Sequence, residues 1–261
     1  MEQKKTSAFY KFLKWIVRHV YPEIRVCGAE NLPEEPALLI GNHSQLHGPI
    51  ASELYIPGDH YTWCIGQMMH RKEVAAYAYQ DFWSGKPKCT RWFFKLVSHL
   101  IAPLSACVFT NANTIGVYHD ARLVYTFKET VSKLQEGASV VIFPEHYAPY
   151  SNVVNDFQDK FVDVARIYYK KTGQTLCFVP MYLAPALKTL VFGKPIRFSP
   201  DIPMDLQRRQ ICDYLMDEIT ALACALPAHQ VVPYPNIPKK QYPNSLPRID
   251  YKEVSDEKTS G

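Results

Sequence analysis

Ala37-Leu38-Leu39-Ile40-Gly41-Asn42-His43 is an apolar run that closes on a glycine and opens onto an amide and an imidazole. Four apolar residues bounded by turn chemistry read as a strand buried on both faces, the habit of strands inside a parallel sheet. Three further stretches read the same way: Ser139 to Phe143, Leu176 to Met181 and Thr189 to Phe192. Between them, Arg122 to Leu134 and Asp156 to Lys171 are helical in pattern. Strands alternating with helices predict an α/β fold, a mixed and largely parallel sheet flanked by helices. In that architecture ligands meet the loops beyond the strand ends, where Asn42-His43 and Pro144-Glu145 fall. Residues 71–105, rich in aromatic and basic side chains, read as a helical insertion between early strands.

Toward the N-terminus, Phe9, Phe12, Leu13, Ile16, Val17 and Val20 recur at helical spacing and leave Lys11, Lys14 and Arg18 off the stripe. Residues 1–26 carry six Lys/Arg against Glu2 and Glu23, so they hold the whole net charge of +4. A basic amphipathic helix over residues 1–22, ended by Pro22, suits a membrane surface, apolar face down and cations toward anionic head groups. It equally suits a helix packed on its own core. Residues 23–226 read as the main domain. From Pro227 onward, six prolines in the last 35 residues predict an extended tail over 227–261, wrapped or loose.

Bulk properties remove other classes. At 261 residues, with 47% hydrophobic and 21% charged side chains, the chain can bury a substantial core and is neither disordered nor fibrous. Its seven cysteines are odd in number, widely spaced and without a CxxC pair. That disfavours a zinc site or a disulfide scaffold and predicts free thiols in a reducing compartment. No secretory leader is visible, and no unbroken apolar run reaches about 18 residues, so no spanning helix is expected. A nucleic-acid binder would show a larger basic excess on a recognisable motif, so nucleic acid is not expected as a partner. His43 and His47 stand at i, i+4, a spacing that could put two imidazoles on one helix face. Ser44 occupies the place where a zinc protease needs glutamate, and no third ligand is evident, so no metal site is expected.

Gly28-x-Glu30-Asn31-Leu32-Pro33, then Asn42-His43, Phe143-Pro144-Glu145, Lys160-Phe161, Val179-Pro180 and Phe192-Gly193-Lys194-Pro195-Ile196 occur in this order. Together they resemble the 1-acylglycerol-3-phosphate acyltransferase family over roughly residues 23–200. The resemblance implies a glycerolipid acyltransferase-like fold, and transfer of a fatty acyl group from acyl-CoA or acyl-carrier protein to a lipid acceptor. It implies no other cofactor. His43 would be the base that takes the acceptor's proton as its hydroxyl attacks the thioester carbonyl. Backbone N–H groups at the turn after the first strand would stabilise the oxyanion. Asn42 would set that turn, Glu145 would shape the acceptor site or hold the imidazole, and His47 would be a second base or a partner of His43. Phe143, Pro144, His146, Tyr147 and Lys160 would complete the substrate site.

The chain departs from the family at three charged positions. Gly48 stands where the family has the aspartate that orients the imidazole. His146-Tyr147-Ala148 replaces a Gly-Thr-Arg, and Val108-Phe109-Thr110-Asn111-Ala112-Asn113 replaces a segment ending in arginine. The two arginines that would grip an acceptor phosphate are therefore missing, leaving Lys160 and Arg122 as the candidate cations. Because Asn42-His43 and Phe143-Pro144-Glu145 persist, the change reads as coordinated, and the expected acceptor is lipid-like but not a phosphomonoester. The expected location is cytoplasmic and peripheral, at the inner face of a membrane. The alternative is a catalytically inactive acyltransferase fold that binds lipid or a partner.

Overall fold

The computed structural model describes residues 7–83, 87–118 and 120–246. An eight-stranded sheet forms the centre. Five of its strands run parallel: β8 (Cys177–Ala184), β2 (Ala37–Gly41), β5 (Ser139–Ile142), β3 (His60–Ile65) and β4 (Thr114–Val117), in that spatial order. On the far side of β8, the strands β9 (Thr189–Phe192) and β10 (Ile196–Arg197) pair antiparallel, and β1 (Arg25–Cys27) then pairs parallel to β9. The α/β class and the largely parallel sheet follow the sequence.

β2 is apolar throughout because both its faces are covered. Leu38 and Ile40 enter one core with α5 (Leu123–Gln135), α6 (Asp163–Thr172) and α7 (Met204–Ala225). Ala37 and Leu39 enter the opposite core, with Ala51 of α2 (His47–Tyr55) and Ile24. β8 divides the same way, Phe178 and Tyr182 on one side and Val179 and Met181 on the other. Pro180 falls between the residues paired to β10 and those paired to β9. A residue without an N–H is tolerated there because no strand on that edge requires a ladder bond from it.

The insertion is helical, as its composition predicts: α3 (Arg71–Ala78) and α4 (Arg91–Asn111) lie between β3 and β4 and pack on each other. The segment Lys88–Asn111 is also long and apolar enough to cross a membrane, by length and composition alone. Lys95, Ser98 and His99 interrupt the stretch, so it contains no unbroken apolar run of that length. The helix expected over Asp156 to Lys171 begins later, at Asp163. Asn155–Phe157 is instead β7, paired antiparallel with β6 (Glu145–Pro149), and a 3₁₀ turn fills 159–162. Strands β1, β3, β4, β6, β7 and β10 were not among those predicted.

At the N-terminus α1 (Ala8–Val20) is capped by Ser7, whose Oγ accepts the Tyr10 N–H at 3.1 Å. It docks through Tyr10, its one buried residue, whose hydroxyl donates to Glu53 Oε1 at 2.9 Å; Lys14 Nζ meets the same oxygen at 2.6 Å. Phe9, Phe12, Trp15 and Val20 are exposed, as are Trp92, Phe93, Leu96 and Leu100 of α4. The described part of the tail is wrapped. Gln230 bridges Asn244, and His229, Val231 and Ser245 are buried. Residues 247–261 of the expected tail and 1–6 of the expected N-terminal helix lie outside the described residues.

Candidate functional site

β2 and β5 are direct neighbours with Ile40 opposite Ile142, and β8 lies on the other side of β2 with Pro180 opposite Ile40. The strand register therefore carries His43, three residues past Ile40, to the level of Glu145, three past Ile142. Their separation of 102 residues is the offset of the β2–β5 pairing itself. The His43 N–H donates to Glu145 Oε1 at 2.6 Å, and the Asn155 N–H donates to Oε2 at 2.9 Å. Asn42 joins the third strand: its Oδ1 accepts the Leu183 N–H at 2.8 Å, and its Nδ2 donates to Leu183 O at 3.0 Å and to Ser44 Oγ at 2.7 Å. The buried Asn42 thus sets the turn by clamping the ends of β2 and β8 together.

The turn is tight. Ser44 and Gln45 adopt φ of 45° and 55°, the left-handed region that L side chains occupy at a cost of order 1–3 kcal/mol each. The chain then doubles back, with the Gly48 N–H donating to His43 O at 3.1 Å. A Cβ at position 48 would sit 2.4 Å from that oxygen and 3.1 Å from the Phe143 ring. No side chain fits at 48 on this backbone, which gives the absence of an aspartate there a steric reason. His43 and His47 do not share a helix face: His43 precedes the turn, whereas His47 opens α2 and bonds the Tyr21 hydroxyl through Nδ1 at 3.1 Å.

Glu145 is 3% exposed, and burial pushes its carboxyl up to about 7 against the pull of its two backbone donors. Its oxygens are engaged by the backbone of His43 and Asn155 and not by the imidazole. His43 Nδ1 is buried without a hydrogen-bond partner among the described residues. Burial holds the imidazole below its ordinary range, with backbone groups of Gln45 and of His43 itself opposing. That lowering favours the uncharged ring, the state a proton acceptor requires. His47 is lowered too, by burial and then by the charge of Lys239.

Phe143 meets the His43 ring edge-on at 5.4 Å between centroids, and Tyr234 meets it from another side at 5.7 Å. The exposed Tyr147 packs on Tyr234 at 5.5 Å. His146 turns away toward Asp156, with Nε2 3.5 Å from Oδ2, and Pro144 is buried beside Glu145. Lys160 is exposed in the 3₁₀ turn without an ion pair among the described residues. Arg122 is engaged elsewhere, by Asp120 at 2.8 Å and over the Tyr118 ring at 4.1 Å. Asn111 Oδ1 accepts the Ser7 N–H at 2.9 Å, tying α4 to α1. Among the described residues no three His, Cys, Asp or Glu side chains converge as metal ligands. The sequence reading missed Tyr234, Asn155 and Leu183; only Pro233-Tyr234-Pro235, an aromatic held between prolines, offered a local signal.

No protein-family model matches the chain, and no curated protein matches it. Among solved structures it is similar to the 1-acyl-sn-glycerophosphate (LPA) acyltransferase PlsC from Thermotoga maritima, with a TM-score of 0.44 and 15% identity, covering 82% of this chain and 78% of that one. A likeness at that distance assigns no activity.

Proposed function

We propose that the chain is an acyltransferase that moves a fatty acyl group from acyl-CoA or acyl-carrier protein to a lipid-like acceptor, with His43 as general base. The observation that carries this reading is the register of β2 and β5, which sets Asn42-His43 beside Pro144-Glu145 at the carboxyl ends of adjacent parallel strands. The partly buried imidazole, held below its ordinary range by burial, suits removal of a proton from a hydroxyl as its oxygen attacks the thioester carbon. The C–S bond then breaks and the carrier thiol leaves with a proton. Strain at Ser44 and Gln45 supports a functional turn, since left-handed side chains persist where the surroundings enforce them.

The acceptor in this proposal carries no phosphomonoester. The segments where arginines would stand hold Ala148 and Asn111 to Asn113, and Arg122 is already paired. Each lost charge-assisted contact removes about 1.5–3 kcal/mol, so two amount to a hundredfold or more in acceptor use. The protein would work from a membrane surface at the cytoplasmic face, with Phe12 and Trp15 of α1 and Trp92 and Leu96 of α4 facing the lipid. One observation favours the alternative of an inactive lipid-binding fold: Nδ1 of His43 has no hydrogen-bonding partner among the described residues. An acceptor panel with one acyl thioester, scored by product mass, separates the readings. Turnover of a neutral hydroxyl or lyso-aminolipid above lysophosphatidic acid is expected. Preference for lysophosphatidic acid would overturn the acceptor assignment, and no product with any acceptor would favour the inactive fold.

A further inference from the structure

Beyond α7 the chain closes a loop on the site, touching His43 through Tyr234 and Gln45 through Tyr242. Its base is a short antiparallel join: the Val231 N–H donates to Pro243 O at 2.8 Å, the Ser245 N–H donates to His229 O at 2.9 Å, and Gln230 bridges Asn244. The join is sunk into the domain, with His229 Nε2 2.8 Å from the buried Tyr182 hydroxyl and Val231 inside the main core. Pro233, Pro235 and Pro238 restrict the backbone between the two ends. A second tether reaches the catalytic turn itself, Gln45 Nε2 donating to the Tyr242 hydroxyl at 3.1 Å. A loop anchored at its base and stiffened by prolines presents its side chains in one place, and the chain it presents to His43 is Tyr234.

His43 needs such a partner. Among the described residues its Nδ1 has no partner in hydrogen-bond geometry, the Glu145 oxygens are taken by backbone N–H groups, and no side chain fits at 48. What remains is ring contact: Phe143 at 5.4 Å with 65° between planes, and Tyr234 at 5.7 Å with 77°. Two edge-on aromatics define the plane of an imidazole without a hydrogen bond. We propose that loop 232–242 is a built-in wall of the site and that Tyr234 is a positioning residue, fixing the His43 ring by aromatic contact where a carboxylate would otherwise do so. Tyr147 braces Tyr234 from outside at 5.5 Å. The catalytic consequence rests on the acyl-transfer reading; the holding of the ring does not.

The test therefore has two readouts in the full-length protein. Carbethoxylation of each histidine by diethyl pyrocarbonate, followed by peptide mass spectrometry, reports how freely the His43 ring is offered. Loss of one aromatic contact should speed modification of His43 in Tyr234→Ala by about threefold to tenfold. Tyr234→Phe, which keeps the ring, should match wild type. The exposed His99 on α4 is the reference for reagent, and the buried His60 reports that the fold is intact. If Tyr234→Ala exposes His60, Tyr234→Leu is read in its place, with the same expected direction. In acyl transfer, Tyr234→Ala should lower kcat with KM nearly unchanged, and Tyr234→Phe should restore kcat. An unchanged His43 rate in Tyr234→Ala, or a Tyr234→Phe protein as reactive as Tyr234→Ala, overturns the proposal. The expected modification pattern without turnover by any variant or by wild type upholds the positioning role and refutes the acyl-transfer reading instead.

Discussion

A side chain at position 48 would begin 2.4 Å from the His43 carbonyl oxygen, so Gly48→Ala should destabilise the protein by about 1–3 kcal/mol, the usual cost of overpacking, read by urea denaturation. For the same reason Gly48→Asp should not raise turnover, although an aspartate there is what the family resemblance would suggest. Glu145 accepts two backbone N–H groups, one on each oxygen. In Glu145→Gln one of those donors faces an amide NH₂, an unsatisfied pair costing about 1–3 kcal/mol. The carboxyl also links stability to pH. Its folded value of about 7 lies above the ordinary 4.5, so between those values the folded protein holds a proton that the unfolded chain has released. The stability difference between wild type and Glu145→Gln should therefore shrink as pH rises from 4.5 to about 7, by on the order of 3 kcal/mol, and stay level above. Denaturation midpoints across that range check the sign. His43 was marked in the sequence by the family resemblance and not by its own neighbourhood, since a lone histidine after a strand is more often structural. Its environment was not, since Tyr234 reaches it only through the tertiary path of the tail.

At the scale of elements, β2, β5 and β8 were readable as apolar runs because each sends residues into both cores, and β9 was readable from Leu190 to Phe192. β3 was not: in His60-Tyr61-Thr62-Trp63-Cys64-Ile65 the buried positions His60 and Thr62 are polar, so the run shows no apolar pattern. The helix expected from Asp156 fails over its first turns because the backbone of Asn155 and Phe157 is committed to Glu145 and β6, a competition invisible in local periodicity. α1 shows the opposite case. Its apolar stripe reads equally as a packed or a membrane-facing helix, and the structure buries Tyr10 while leaving Phe9, Phe12, Trp15 and Val20 exposed. Removal of residues 1–21 should weaken flotation with anionic vesicles and leave thermal unfolding of the remainder cooperative. Each basic residue near such a surface contributes about 1 kcal/mol, so the loss should fade as salt rises. Trp92→Ser and Leu96→Ser together should weaken flotation independently of salt, because those side chains of α4 offer apolar area rather than charge. Vesicle binding unaffected by either change would remove both helices from the membrane-facing role.

Across the whole molecule, the sheet assembles the site from segments far apart in the chain. β2 delivers the histidine, β5 the glutamate and β8 the backbone that Asn42 clamps, all at one level because Ile40, Ile142 and Pro180 are in register. The chain order of these motifs was visible in the sequence, and their alignment is what makes the order meaningful. The tail was predicted as extended, wrapped or loose, and what decides it is burial of His229, Val231 and Ser245 against the domain. Composition gave no hint of that, because three buried residues in a proline-rich stretch do not alter its average. If the assembly is an acyltransferase, its output depends on one imidazole. The direct measurement is release of thiol from acyl-CoA coupled to formation of acylated neutral lipid, in purified wild type and in His43→Ala, with circular dichroism confirming that both are folded. Wild type should form product, and His43→Ala should lose about 10²- to 10⁴-fold, the ordinary contribution of a general base. Equal turnover by the two proteins would contradict that role.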